Sequence, residues 1–316
     1  MRAAFASAIK PDEPLTALTV GDLPDPTPPD GWVTVDVRAS SLNRHDLWSL
    51  RGVGLPADRL PMILGCDAAG VDPEGNDVIV YPVVADPADP RGLSLLSERH
   101  PGTLAERVSA PLENLIPKPA DLSFLDAACL PTAWLTAYHM LTSRGRADEA
   151  ESVLVQGAGG GVATAAVVLA VAMGKRVYAT SRDAAKRDRI TQLGATALDS
   201  GARLPERVDI VIESVGAATF DHSMKSSKPS ARIVVAGATG GHQATVDLRR
   251  VFAMRLDILG ATMGTAAELA GLVDFLMARD LRPIIDSVYG FTTVADAFAR
   301  LESGAVFGKV VIDHLH

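Results

Sequence analysis

Cysteine is nearly missing from this chain: two thiols, Cys66 and Cys129, in 316 residues. Two cysteines cannot form a four-thiolate metal site, and one pair is no disulfide framework, so each reads as a small buried hydrophobe. Clustered positive charge is missing as well. There are 30 Lys+Arg against 38 Asp+Glu, a formal net charge of -8, and no basic run is longer than a pair. That argues against a nucleic-acid partner or an anionic membrane surface, either of which needs a concentrated positive patch. No run of roughly eighteen apolar residues occurs, and the opening MRAAFASAIKPDEP has no apolar core of signal-peptide length. The expectation is a soluble, cytoplasmic protein.

The chain is rich in apolar residues and in glycine at particular places. Hydrophobic residues make up 47%, enough to pack two cores in a chain of this length. The stretch from Ser152 to Arg182 organises the rest. Val153-Leu154-Val155 suits a strand buried on both faces of a parallel sheet. Gly157, Gly159, Gly160 and Gly161 follow, letting the chain reverse and bringing main-chain N–H groups close to a ligand. A helix from Val162 to Met173 aims its positive end at whatever the loop holds. Arg176 to Thr180 reads as a second buried strand. The GxGxxG spacing is not met literally, since the loop runs GAGGGVA with Ala163 in the third glycine's place. Strand, glycine turn, helix and strand form the βαβ unit that binds a dinucleotide pyrophosphate.

Before this unit the chain reads as β-rich. Met1 to Ser7, Leu15 to Val20, the alternating WVTVDVR of Trp32 to Arg38, Asp77 to Val83 and Ala105 to Ala110 are predicted strands. Residues 84 to 103, with Pro87, Pro90 and Pro101, read as a surface loop. Ser123 and Asp126 have the shape of a capping box ahead of a predicted helix over Phe124 to Leu141, kinked at Pro131. After the glycine unit, predicted strands at Thr196 to Leu198, Val208 to Ile212, Arg232 to Ala236 and Asp257 to Ala261 alternate with helices, completing a doubly wound six-stranded parallel sheet. The final elements, ending in a strand at Lys309 to Ile312, exceed what that sheet needs and are expected to rejoin the first domain.

Taken together, SSLNRHDLWSLRG, PMILGCDAAGV, GTLAERVSAPLENLIPKP, AACLPTAWLTAYHML, VLVQGAGGGVATAA, VDIVIESVG and FGKVVI resemble, in order and over nearly the whole chain, the medium-chain dehydrogenase/reductase superfamily, and within it the zinc-free quinone oxidoreductases. The resemblance implies a GroES-like catalytic domain over residues 1–120, a Rossmann NADP-binding domain over 121–264 and a return to the catalytic domain over 265–316. Zinc-binding members hold their metal at positions that here are Asn43, Cys66 and Thr132, beside Asp67, which implies no bound metal. Without a Lewis acid, reduction of a quinone or α,β-unsaturated carbonyl is expected in place of alcohol oxidation, with hydride passing directly to the β-carbon.

The resemblance places Asn43 and Asp46 on the substrate pocket. Asn43 reads either as a donor to the substrate carbonyl or as a helix N-cap. His45 falls where relatives relay protons, and reads either as a proton source or as a partly exposed helix histidine. The same resemblance sets Thr132, Gly237 and Lys309 near the cofactor, with Gly159, Gly160, Gly161 and Val162 on its phosphates. At the end of the second strand Ser181, Arg182 and Lys186 stand where NAD-specific proteins carry a carboxylate, which points to NADPH. Asp183 adjoins them. The edge strand Asp257 to Ala261 predicts a homodimer. Competing functions are an alcohol dehydrogenase with an atypical metal site, and a non-catalytic NADPH-binding sensor or structural protein.

Overall fold

The computed structural model describes residues 1–315. It separates into two compact units, one made of Met1–Thr132 with the stretch from Thr265 onward, the other of Ala133–Gly264.

The second unit is the doubly wound sheet the sequence predicts. Its strands run in the order Thr196–Leu198, Arg176–Thr180, Ser152–Val155, Val208–Glu213, Ser227–Val235 and Asp257–Gly260, with every neighbouring pair parallel. The central strands are apolar because helices cover both faces: Val153, Leu154, Val155, Val211 and Ile212 are wholly buried. Helices Gly161–Ala172, Ala184–Gln192 and Ala217–Ser226 follow their strands as expected. Asp257–Gly260 pairs on one side only and forms the sheet edge.

One expectation about a helix needs correction. Phe124 to Leu141 is not one kinked helix. It breaks into an α-helical turn at Phe124–Ala127, π-helical turns at Leu130–Trp134 and Met140–Arg144, and an α-helical turn at Leu135–His139 between them. Pro131 supplies no N–H and its ring crowds the preceding turn, so the ladder widens there. The predicted cap is present, with the Asp126 N–H donating to Ser123 Oγ at 3.1 Å. An additional short helix, Leu248–Met254, lies between the last two strands of the sheet.

The first unit is built on a sheet of order Leu115–Pro117, Asp77–Val80, Asp67–Val71, Trp32–Leu42, Lys309–Asp313 and Ile285–Gly290, with Arg107–Pro111 also paired to Trp32–Leu42. The long Trp32–Leu42 strand holds this unit together. Its first half pairs with Arg107–Pro111, and its second half lies between Asp67–Val71 and Lys309–Asp313, antiparallel to each. Residues 84–103 are more than the predicted surface loop. Val83–Ala85 and Leu93–Leu95 form a two-stranded sheet, and Leu96, Ser97 and Glu98 are buried. Arg91 pairs with Asp89 and Glu98, and Arg99 with Asp86 and Asp89, so the charges of this proline-bearing segment satisfy one another and let it fold inward.

Candidate functional site

In the second unit the chain leaves the Ser152–Val155 strand through Gln156 and turns on glycine. Gly157 (φ +65°) and Gly159 (φ +149°) adopt conformations that side chains disfavour. A Cβ on Gly157 would collide with Val215. Gly160 caps the following helix with no side-chain hydrogen bond, and a Cβ there would meet nothing within 4 Å. The first N–H groups at Gly161 and Val162 therefore open onto space at the positive end of a twelve-residue helix, the arrangement that holds phosphate. A Cβ on Gly159 would stand 2.9 Å from Lys186 Cδ and 3.3 Å from its Nζ, which brings Lys186 to the glycine turn itself.

Arg182 is exposed and Ser181 is buried next to it. The neighbouring Asp183 caps the next helix, accepting from the Lys186 N–H at 3.2 Å, and no ion pair between it and Arg182 is present among the described residues. Arg187 donates to the Ser181 carbonyl at 2.8 Å and braces the turn. Gly237 is required by close approach, since a Cβ would lie 2.8 Å from the Ser214 carbonyl oxygen. Thr132 is half-buried in the Leu130–Trp134 turn, the last residue of the first unit before the crossing.

A polar chain that sequence reasoning missed lies beneath the glycine turn. The Gly157 N–H donates to Thr180 Oγ1 at 3.2 Å, Thr180 to Gln156 Oε1 at 2.7 Å, and Gln156 Nε2 to Ser223 Oγ at 3.0 Å. Ser223 donates to Glu213 Oε2 at 2.6 Å, and Glu213 Oε1 accepts from the N–H groups of Val215 and Gly216. Glu213 is wholly buried, and these donors satisfy its charge. A glutamate ending an apolar strand, VDIVIE, is the one signal in the sequence that marks this network.

In the first unit, Asn43 precedes the short helix Arg44–Leu50. Asp46 is wholly buried, and its two oxygens accept from the N–H groups of Asn43 (2.7 Å) and Gly65 (2.9 Å). Burial pushes its carboxyl above the ordinary value. The structure thus gives Asp46 a place holding two backbone turns together, a correction to its expected place among the reacting groups. The Asn43 side chain is not the plain cap that was one alternative. Its Nδ2 donates to Asp67 Oδ2 at 2.8 Å and its Oδ1 accepts from Lys309 Nζ at 2.6 Å. One amide N–H remains without a partner among the described residues.

Lys309 was expected beside the cofactor. Its ammonium instead donates to Leu42 O, Asn43 Oδ1 and Asp67 Oδ2, at 2.9, 2.6 and 2.9 Å, so all three protons are committed inside the first unit. His45 is partly exposed, with Nε2 3.4 Å from Ser49 Oγ and 3.8 Å from Glu98 Oε1. Gly54 lets Glu98 approach, since a Cβ there would stand 2.8 Å from Glu98 Oε1.

Residues 29–120 match a family model described as an alcohol dehydrogenase GroES-like domain, and residues 188–312 one described as a zinc-binding dehydrogenase. The chain is 28% identical over 314 residues to a zinc-type alcohol dehydrogenase-like protein of Schizosaccharomyces pombe, spanning 89% of this chain and 90% of that one. It is 27% identical over 325 residues to an acryloyl-coenzyme A reductase of Metallosphaera sedula, spanning 93% and 95%. A solved structure of an NAD-dependent alcohol dehydrogenase superposes with a TM-score of 0.90 at 32% identity, covering 99% of each chain.

These descriptions imply zinc, and the residues present do not fit it. Asn43 has its amide committed to Asp67 and Lys309. The Cys66 thiol is turned to Leu96 O (3.2 Å) and Ser97 Oγ (3.4 Å), and it would be the sole thiolate of such a set, since Asn43 and Thr132 stand at the other two positions. Asp67 Oδ1 is buried without a hydrogen-bond partner, but its other oxygen already carries the Lys309 ammonium. Among the described residues no three His, Cys, Asp or Glu side chains converge as a ligand set.

Proposed function

We propose, on the footing that the chain belongs to the medium-chain dehydrogenase/reductase superfamily, that it is a zinc-independent, NADPH-dependent reductase of quinones and α,β-unsaturated carbonyls. The chain is a nicotinamide-dependent oxidoreductase of this superfamily. Zinc-independent reduction is supported by one observation: where zinc-binding members place ligands, this chain presents a buried amide with one N–H left to give. Such a group stabilises negative charge on an oxygen by a hydrogen bond, which suffices when the accepting carbon is already electrophilic. The acceptor class takes in enoyl thioesters, the chemistry named in the Metallosphaera relative.

Bound NADPH supplies the hydride. Gly159, Gly160, Gly161 and Val162 would hold its pyrophosphate, while Ser181, Arg182 and Lys186 would hold the 2′-phosphate, with Gly237 and Thr132 nearby. Asn43 donates to the oxygen on which charge develops, and His45 holds the proton that the product oxygen takes. Asp46 keeps Asn43 and Gly65 in register. We assign the unit of Met1–Thr132 with the stretch from Thr265 onward to the catalytic domain and that of Ala133–Gly264 to the cofactor domain, a boundary later than the one expected at residue 120. A homodimer built on the exposed Asp257–Gly260 edge completes the reading. Both cysteines are free and buried, as suits the reducing cytoplasm, and no helix among the described residues is long and apolar enough to cross a membrane.

The test is a panel of quinones, enones and enoyl thioesters, followed by loss of NADPH absorbance, with elemental analysis of the same preparation. Turnover of at least one acceptor without stoichiometric zinc is the expected result. About one zinc per chain, or turnover of alcohols alone, would overturn it.

A further inference from the structure

We propose that Lys309 is a positioning residue for this reduction: its buried ammonium, bonded to Asn43 Oδ1, fixes which end of the amide faces the substrate oxygen. The inference rests on the reading that Asn43 is the donor to that oxygen.

Three neighbouring strands bring the parts together. In the antiparallel registers Ser41 stands opposite Asp67 and Leu42 opposite Val310, so Lys309, Asn43 and Asp67 meet at one end of the Trp32–Leu42 strand. Lys309 is 2% exposed and Asp67 0%. Asp67 Oδ2 accepts three hydrogen bonds, from Ser41 Oγ (2.8 Å), Asn43 Nδ2 (2.8 Å) and Lys309 Nζ (2.9 Å).

The amide is thereby pinned at both ends. A cation holds its oxygen and an anion holds one of its two N–H groups. Turning the amide over would set its NH₂ against the ammonium and its oxygen against the carboxylate, two repulsive contacts in a dry site where such contacts are costly. The remaining N–H therefore has one direction. The charge-assisted bond to Oδ1 also draws electron density toward that oxygen and strengthens the amide as a donor. Lys309 acts through Asn43 and needs no contact with substrate or cofactor. A plain stabilising role explains the pair less well, because a buried ion pair contributes little beyond apolar residues of the same volume.

The decisive variant is Lys309→Met with Asp67→Asn, which removes both charges together and leaves neither unpaired. Measured quantities are kcat and KM on the best acceptor of the panel, NADPH affinity by fluorescence titration, and the melting temperature. Lys309→Arg, which keeps the charge, is the conservative rescue and is also assayed if the double variant melts below the assay temperature. The expected result is a fall in kcat of about ten- to a hundredfold, the range for losing one charge-assisted hydrogen bond, with NADPH affinity unchanged and kcat largely retained in Lys309→Arg. In an Asn43→Ala background the same exchange should leave kcat nearly unchanged.

A double variant that keeps its kcat overturns the proposal. So does an equal loss in the Asn43→Ala background, which would mean that Lys309 acts elsewhere, and so does Lys309→Arg falling as far as the neutral pair. A loss of NADPH affinity matching the loss of rate would return Lys309 to the cofactor. Inactivity of the unaltered chain on every acceptor strikes instead at the function proposed above, so the two failures are told apart.

Discussion

Arg182 and Asn43 carry the residue-scale consequences. If the exposed Arg182 guanidinium makes one charge-assisted bond to the 2′-phosphate, Arg182→Ala should weaken NADPH by about ten- to a hundredfold and leave NADH nearly unchanged. Titration of both cofactors checks this, and equal losses would remove Arg182 from the site. Asn43→Ala leaves the backbone bond from residue 43 to Asp46 intact, so the helix start survives. The rate should fall by about 10² to 10³, as for other donors aimed at developing charge. A variant that melts lower but keeps its rate within a few-fold would make Asn43 structural. The place of Ser181 and Arg182 directly after the Arg176–Thr180 strand was legible in the sequence, because an apolar strand end is a local signal. The inward direction of Lys309 was not, because its partner Asn43 lies 266 positions away and no spacing rule reaches so far.

At the scale of elements, the apolar strands and their following helices were legible because burial on both faces leaves an unmistakable run of Val, Ile and Leu. The helix Leu248–Met254 was not. It is only seven residues long and its apolar side chains face two ways, Leu248 and Phe252 out to solvent, each 72% exposed, and Val251 and Met254 against the core, so too few turns and no single inward stripe mark it in the sequence. The pairing of residues 84–103 was hidden for another reason, since its ion pairs join residues of a segment with no periodicity. The Ile285–Gly290 strand and the Val294–Glu302 helix are joined by Asp286, which accepts from Arg300 Nε (2.9 Å), Arg300 Nη2 (3.0 Å) and the Phe307 N–H (2.8 Å). Burial alone would raise its carboxyl, but Arg300, Phe307 and Ser287 outweigh burial and hold it below the ordinary value. A depressed carboxyl stabilises the fold above the unfolded value of about 3.9, and that contribution drains away as pH falls through the lower folded value. Asp286→Asn should therefore be less stable than the parent at neutral pH, by a margin that shrinks as pH drops below about 4. Denaturant unfolding at several pH values measures it, and a margin independent of pH would show that the charge is not what matters.

For the whole molecule, the open edge at Asp257–Gly260 sets the expected assembly. Ile258 on that strand and Leu248 and Phe252 on the preceding helix are exposed apolar side chains in the second unit, and an unpaired strand flanked by such residues invites a second copy across a two-fold axis. Light scattering should give twice the chain mass at micromolar concentration, and Ile258→Arg with Phe252→Glu should give a monomer. A parent chain already monomeric at that concentration would contradict this.

The lysine that fastens the final strand to Leu42 across 267 positions has a consequence in time. A ribosome adding about 5 to 20 residues per second needs roughly 15 to 50 s to travel from one partner to the other. The contiguous cofactor-type unit has been synthesised whole in that interval, whereas the Trp32–Leu42 strand waits with one edge unpaired. The contact between Lys309 and Leu42 therefore forms only after the Ala133–Gly264 unit has been made. A nascent chain stalled before Lys309 should withstand protease over Ala133–Gly264 while remaining open over its first 132 residues.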